Sequence, residues 1–191
     1  MNRTSAKRIA AGAVLILLIV LCALLFISTT GKTVYPKLFS EYVDKYSEMY
    51  GVEDDLVYAV IKTESSFDSN ARSGVGAIGL MQIMPNTFKW LQSKMPDNGP
   101  KMSAQELYSP ETNIKYGTFF LSLLKKEFGS DRLTIAAYHA GRGQVNKWLK
   151  DRNISTDGET IEKIPSKSTG HYVDKVMKNV RRYRKLYEER G

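Results

Sequence analysis

The sequence predicts a mainly α-helical fold, a single domain preceded by one N-terminal transmembrane helix, and three observations carry that prediction. Residues 9–27 read IAAGAVLILLIVLCALLFI without one charge. Thereafter apolar residues recur at three- and four-residue intervals, segment after segment, as one face of a helix requires. Alternating strand patterns are nearly absent. With 191 residues, 42% hydrophobic and 25% charged, the chain is long enough to bury one sizeable core.

The apolar run is close to the ~20 residues that cross a bilayer. Residues 1–8 are assigned as a cytoplasmic tail, 9–28 as the transmembrane helix, 29–37 as a short linker and 38–191 as the domain. Three of the 28 basic residues, Arg3, Lys7 and Arg8, precede the run, leaving 25 against 20 acidic ones. A positive cluster ahead of the run and little charge behind it place the domain outside the cytoplasm, on a single-pass cell-membrane anchor. A cleaved signal peptide is the alternative, opposed by the length of the run and by the lack of an Ala-x-Ala site after it. Cys22 is the only cysteine, so no disulfide within the chain is possible, and the bulky Leu21 before it disfavours a lipid attachment site. His139 and His171 lack the supporting ligands of a zinc site, and no metal or other cofactor is assigned.

Along the domain, Phe39, Tyr42, Val43, Tyr46, Met49 and Tyr50 repeat with helical spacing before Gly51 stops the helix. Asp54 or Asp55 is expected to cap the next helix, which carries Leu56, Val57, Val60 and Ile61 and ends near Glu64. Pro85 opens a helix with Phe88 and Leu91, and Ser103 with Glu106 has capping-box spacing. Ser109-Pro110 starts a longer helix whose inward face is Ile114, Gly117, Phe120, Leu121, Leu124 and Phe128, with Gly129 as stop. Asp131 is expected to cap the segment that ends at Gly141, Trp148 and Leu149 close a short helix, and 151–168 is a polar loop. A last helix from about Thr169 carries Tyr172, Val173, Val176, Val180 and Tyr183 on one side.

Glu64 follows Val57, Val60 and Ile61 on their own face, so a carboxylate occupies a core-facing position at a helix C-terminus. Burial among apolar groups and the negative end of the helix dipole both favour the protonated acid. Such a carboxyl can give its proton to a leaving oxygen near neutral pH and afterwards act as a base. Glu64 alternatively reaches solvent from a frayed helix end, or pairs with Arg72 or Lys62. Directly after it, Gly74, Gly76 and Gly79 arrive within six residues, marking backbone that needs positive φ or close approach.

The stretches TESSF (63–67), SGVGAIGLMQIMP (73–85), AAYHAGRGQV (136–145) and IPSKSTGHYVDKV (164–176) resemble, in order and spacing, the four motifs of the soluble-lytic-transglycosylase-like family. That resemblance, covering about Pro36 to Tyr187, implies a lysozyme-like α fold that cuts peptidoglycan glycan strands. It implies that Glu64 protonates the oxygen between N-acetylmuramic acid and N-acetylglucosamine and then takes the proton of the muramic C6 hydroxyl. The product is a 1,6-anhydro ring, with the 2-acetamido group supporting C1, which departs from the usual two-carboxylate scheme. Asp68, the nearest candidate for a second acid, reads as a solvated turn former.

The resemblance further assigns Ser73 to a hydrogen bond with the catalytic carboxyl, and Gly79, Leu80, Met81 and Gln82 to the lining of the cleft. Gln82 would bond the acetamido group or sugar hydroxyls, Met81 would pack on a sugar face, and Tyr138 would direct its hydroxyl at Glu64. Tyr172 would occupy the cleft. From the residues alone, Ser73 also reads as a turn residue, and Met81, Tyr138 and Tyr172 as core. His139 stands where the family has Asn and Ser168 where a Glu is common; both bear on subsites, and His139 can titrate. A hydrolase of goose-lysozyme type and a glycan-binding scaffold without turnover are the rival readings. The C-terminal KVMKNVRRYRKLYEER is basic, but an external domain meets no nucleic acid; a solvated face favouring anionic wall polymers or lipid headgroups is expected.

Overall fold

The computed structural model describes residues 16–21, 31–95 and 100–187. Most of the expected transmembrane helix lies outside the described residues. Within it, 16–21 are helical and exposed, and among the described residues no helix is long and apolar enough to cross a membrane. The chain divides into two units, one comprising Met1–Pro36 with Leu186–Gly191 and the other Lys37–Lys185. In the first, the Tyr187 hydroxyl donates to the Tyr35 carbonyl at 2.8 Å.

Among the described residues the second unit has seven helices: α1 (Ser40–Tyr50), α2 (Asp54–Glu64), α3 (Pro85–Gln92), α4 (Pro110–Phe128), α5 (Asp131–Ala140), α6 (Arg142–Lys150) and α7 (Lys167–Tyr187), the last running two residues past the unit. A single 3-10 turn, Ala104–Tyr108, precedes α4. No strand is present among the described residues. Isolated bridges pair Ile78 with both Arg72 and Ile83.

Most of the periodic residues are buried as their spacing predicts, though Met49 of α1 is exposed and Phe120 of α4 half-buried. Val57, Val60 and Ile61 of α2, Ile114, Leu121 and Leu124 of α4, and Val173 and Val176 of α7 are fully buried. Helix α4 is the spine, packed against α1, α3, α5 and the 3-10 turn. Its start follows the expected Ser-Pro signal, with the Ser109 hydroxyl accepting from the Thr112 amide. Two caps differ from expectation by one residue. Glu53, not Asp54 or Asp55, precedes α2, and Ser130, not Asp131, caps α5 by accepting from the Leu133 amide at 3.3 Å. In both cases the aspartates fall in the first turn, where the helix dipole favours negative charge.

Helix α7 is bolted to α2 along its length. Tyr58 and Tyr183 stack at 5.4 Å, Asn179 Nδ2 donates to Thr63 Oγ1 at 2.9 Å, and the Arg184 guanidinium pairs with Asp55. These contacts set the C-terminal end of α2 beside the first turns of α7.

Candidate active site

Glu64 is the last residue of α2, and the chain turns sharply directly after it. Ser66 and Phe67 take left-handed φ of 52° and 72°, strained for non-glycine residues. Ser65 sets where the returning loop lies: its hydroxyl donates to the Leu80 carbonyl at 2.8 Å and accepts from the Phe67 amide at 3.1 Å.

The loop around 78–82 is held from inside by Asn113 of α4, a fully buried amide whose groups are all used. Its oxygen accepts from the Met81 amide at 2.8 Å; its nitrogen donates to the carbonyls of Ile78 at 2.9 Å and Leu107 at 2.7 Å. Gly79 makes this clamp possible, with φ of 76°; a Cβ there would lie 2.2 Å from Asn113 Nδ2 and 2.3 Å from the Leu107 oxygen. Ser65 and Asn113 thus fix both sides of the loop by its backbone.

Three expectations change at this loop. Leu80 and Met81 have no exposed surface, so neither side chain lines a cleft. Met81 fills the notch at Gly117, where an added Cβ would stand 2.2 Å from its sulfur. Gln82, at φ 49°, folds its amide nitrogen back onto the carbonyls of Gly79 and Ala71 at 2.9 and 3.2 Å. Ser73 serves the turn, its oxygen accepting from the Ala77 amide at 2.9 Å, and among the described residues no hydrogen bond joins it to Glu64.

Tyr172, not Tyr138, meets the carboxyl. Tyr172, on the first turns of α7, donates its hydroxyl to Glu64 Oε1 at 2.5 Å. Tyr138, near the end of α5, donates instead to the Met81 carbonyl at 2.7 Å. The loop carbonyl takes the hydroxyl that the family resemblance assigned to the carboxyl. His139 stacks on Tyr172 with ring centroids 4.4 Å apart, and its Nδ1 lies 3.2 Å from the Thr169 hydroxyl.

Burial pushes the Glu64 carboxyl above the ordinary glutamate range, opposed by the Tyr172 hydrogen bond and by the charge of Lys175. Among the described residues no salt bridge neutralises it, against the reading that Arg72 or Lys62 pairs with it. Burial and then the nearby Glu64 charge hold both tyrosine hydroxyls well above their usual range, so they remain hydrogen-bond donors. Burial lowers the pKa of His139, leaving it neutral at pH 7. A carboxyl whose protonated form burial favours, beside two fixed phenol donors, can deliver a proton to an oxygen and take one back.

The structure adds an aromatic row to which periodicity assigned no role at the site. Phe120, expected inside, is half-buried between Trp90 at 6.1 Å and Tyr138 at 5.1 Å, and the Arg142 guanidinium covers the Trp90 ring at 5.4 Å. This aromatic row leads away from Tyr138. Ser65 was visible in TESSF, but Asn113 and Lys175 carried no signal: one is a polar residue inside an apolar helix face, the other one cation among many.

A family model described as the transglycosylase SLT domain matches residues 41–161. The chain belongs to this family. Among curated relatives of the SLT-domain chain, the soluble lytic murein transglycosylase of Salmonella typhimurium is 34% identical over 148 residues, 75% of this chain and 22% of the relative. The membrane-bound lytic murein transglycosylase C of Serratia proteamaculans is 34% identical over 163 residues, 75% of this chain and 46% of the relative. A Pseudomonas aeruginosa lytic transglycosylase, solved as an inactive glutamate-to-glutamine mutant, is similar with TM-score 0.67 and 34% identity over 80% of this chain and 25% of that one. The 70-kDa soluble lytic transglycosylase of Escherichia coli in complex with bulgecin A gives TM-score 0.72 and 28% identity over 83% and 26%. The chain therefore spans about a fifth of the length of the soluble relative and under half of the membrane-bound one.

Proposed function

We propose that this SLT-domain chain is a membrane-anchored peptidoglycan lytic transglycosylase in which Glu64 serves first as acid and then as base. The observation that carries the reading is the Glu64 carboxyl itself, half-buried at the end of α2, without an ion-pair partner among the described residues, and bonded by Tyr172 at 2.5 Å. In this mechanism Glu64 gives its proton to the oxygen joining N-acetylmuramic acid to N-acetylglucosamine, and the muramic C1–O bond breaks. The muramic 2-acetamido group supports the electron-poor C1. The C6 hydroxyl then attacks C1, its proton passes to Glu64, and a 1,6-anhydro ring closes with no water consumed. The acid is regenerated in one turnover.

Support for the substrate comes from the relatives, which are lytic murein transglycosylases, and from the neighbour inactivated by a glutamate-to-glutamine change. Tyr172 stabilises the carboxylate once the proton has left, while Tyr138 holds the Met81 carbonyl and thereby the loop. Gln82, with its amide oxygen unbonded among the described residues, His139 and the edges of Trp90 and Phe120 are the side chains offered to sugar. Leu80 and Met81 support that wall from behind. Residues 9–28 act as the anchor, supported by their freedom from charge, by the cations ahead of them and by the membrane-bound relatives.

Digestion of purified peptidoglycan followed by mass spectrometry tests the reaction. Anhydromuramic ends, one water lighter than hydrolysis products, are expected; reducing muramic ends would make the chain a hydrolase, and release of nothing soluble would make it a binder.

A further inference from the structure

Helix α7 meets the end of α2 along one stripe. Tyr172 donates to Glu64 Oε1 at 2.5 Å, and Asn179 Nδ2 donates to Thr63 Oγ1 at 2.9 Å. The two contacts are seven residues apart, which brings them to one face of the helix. Lys175 lies between them, three residues after Tyr172 and four before Asn179, so it belongs to the same stripe. Its neighbour Val176 is fully buried while Lys175 is exposed, which puts the ammonium at the wet edge of this seam. At 1.5 Å per residue it stands about 4.5 Å along the axis from Tyr172.

Nothing on α7 itself accounts for a cation at this position. The residues one turn away are His171, Tyr172, Lys178 and Asn179, none of them acidic. The helix has one acid, Asp174, and Arg132 pairs with it at 3.3 Å. Among the described residues Lys175 makes no ion pair. Mid-helix, it gains nothing from the dipole of α7. The negative end of α2 lies beside it, but Lys62 in the last turn of α2 already complements that end.

The other groups around Glu64 bring no charge to it. Tyr138 from α5 and Tyr172 from α7 stay neutral phenols, His139 is neutral at pH 7, and the side chains of the 78–82 loop are uncharged. Lys62 is two residues before Glu64 on α2 and points away from it. Asp68, exposed in the loop after α2, accepts from the Asn70 amide at 2.9 Å. Lys175 is the cation whose field reaches the carboxyl and opposes burial. A contact ion pair would ionise Glu64 before substrate arrives and leave no acid to give. A cation at the rim, acting across solvent, leaves the acid form favoured and still steadies the carboxylate when it forms.

We propose that Lys175 is a positioning residue of the reaction: its charge acts through Glu64, stabilising the carboxylate from the moment its proton passes to the glycosidic oxygen until the C6 hydroxyl returns one. The proton balance of the scheme is unchanged. The inference rests on the proposed role of Glu64, but the coupling of the two side chains does not require turnover.

The test uses the full chain in nonionic detergent. Lys175→Met removes the charge and keeps an aliphatic stem, Lys175→Arg keeps the charge, and Lys178→Met removes an equal charge three residues on and outside the stripe. The Glu64 carboxyl is titrated directly by carbon-13 NMR, with Glu64→Gln assigning its signal. At about 50 mM salt, Glu64 in Lys175→Met is expected to titrate about half a pH unit above the parent, the size an exposed charge pair supports. Lys175→Arg and Lys178→Met are expected to follow the parent. Because salt screens the field, at about 0.5 M the parent should rise to meet Lys175→Met. In muropeptide release, kcat of Lys175→Met should fall about threefold with KM unchanged, and its alkaline limb should move up by the same half unit. A Glu64 titration that Lys175→Met leaves in place overturns the proposal, as does a shifted titration with unchanged kcat. An equal shift in Lys178→Met would make the effect one of net charge, and an equal shift in Lys175→Arg one of packing; either result also overturns it. Failure of the cleavage reading would show separately, as a parent that releases no anhydro products, and leave the NMR titration to decide the coupling.

Discussion

Tyr172→Phe isolates the bond on which the acid depends. The substitution removes one oxygen and keeps the ring that stacks on His139 at 4.4 Å, so the first turns of α7 stay packed. Burial favours the protonated form of Glu64, and in that form the 2.5 Å bond from Tyr172 reaches a neutral oxygen. Once the proton has moved to the glycosidic oxygen the same hydroxyl faces a carboxylate, and hydrogen bonds to charged groups contribute about 1.5–3 kcal/mol. Losing that difference in the transition state lowers kcat by about 10- to 150-fold with little change in KM. The pH profile supplies a sign. Tyr172 holds the Glu64 pKa down against burial, so its removal raises that pKa further, and the alkaline limb, where Glu64 loses its required proton, moves to higher pH. Release of soluble muropeptides across pH, with kcat and KM resolved, is the assay. A kcat within threefold of the parent, or an alkaline limb that moves down, refutes the reasoning.

Asn113→Ala orphans the Met81 amide and two carbonyls in a dry interior; at about 1–3 kcal/mol per buried group, denaturant unfolding should show a loss of about 3 kcal/mol or more. Gly79→Ala forces a Cβ to 2.2 Å from Asn113 and 2.3 Å from the Leu107 oxygen at positive φ, and a loss of at least about 2 kcal/mol is expected in the same measurement. Glu64→Gln is expected to stabilise the fold: a carboxyl whose native pKa is raised contributes stability below its unfolded pKa and loses it as pH rises through the native value. The variant's advantage in thermal midpoint should therefore appear above the ordinary glutamate pKa of 4.5 and grow toward neutrality. A flat difference between pH 4 and pH 8 (bracketing the ordinary carboxylate and neutral ranges) would remove burial as the source of the shift.

The helices were legible because their faces are. Val57, Val60 and Ile61 announce α2, and Ile114, Leu121 and Leu124 announce α4, through a spacing that depends on backbone geometry alone. The same spacing placed Glu64 on the buried side of α2, and two of the three loop glycines, Gly76 and Gly79, do take positive φ. Hydrogen-bond partnership was not legible, since it depends on angstrom-scale positions of separate helices. Sequence could bring Tyr138 and Tyr172 to one region but not decide which hydroxyl meets Glu64 and which meets the Met81 carbonyl. Side-chain direction in the loop was equally hidden. Gln82 takes a left-handed conformation, and Met81 turns toward Gly117 instead of the cleft. Asn113 escaped because its polar atoms compensate one another inside an apolar face, a property of the assembled loop and of no local pattern.

One acid carries the proposed chemistry, and removing it is the most direct test. Soluble muropeptide release from purified peptidoglycan, measured for the full chain and for Glu64→Gln at matched concentration and confirmed fold, should show no detectable release by the variant. Release within tenfold of the parent would contradict the mechanism and take Glu64 out of the chemistry.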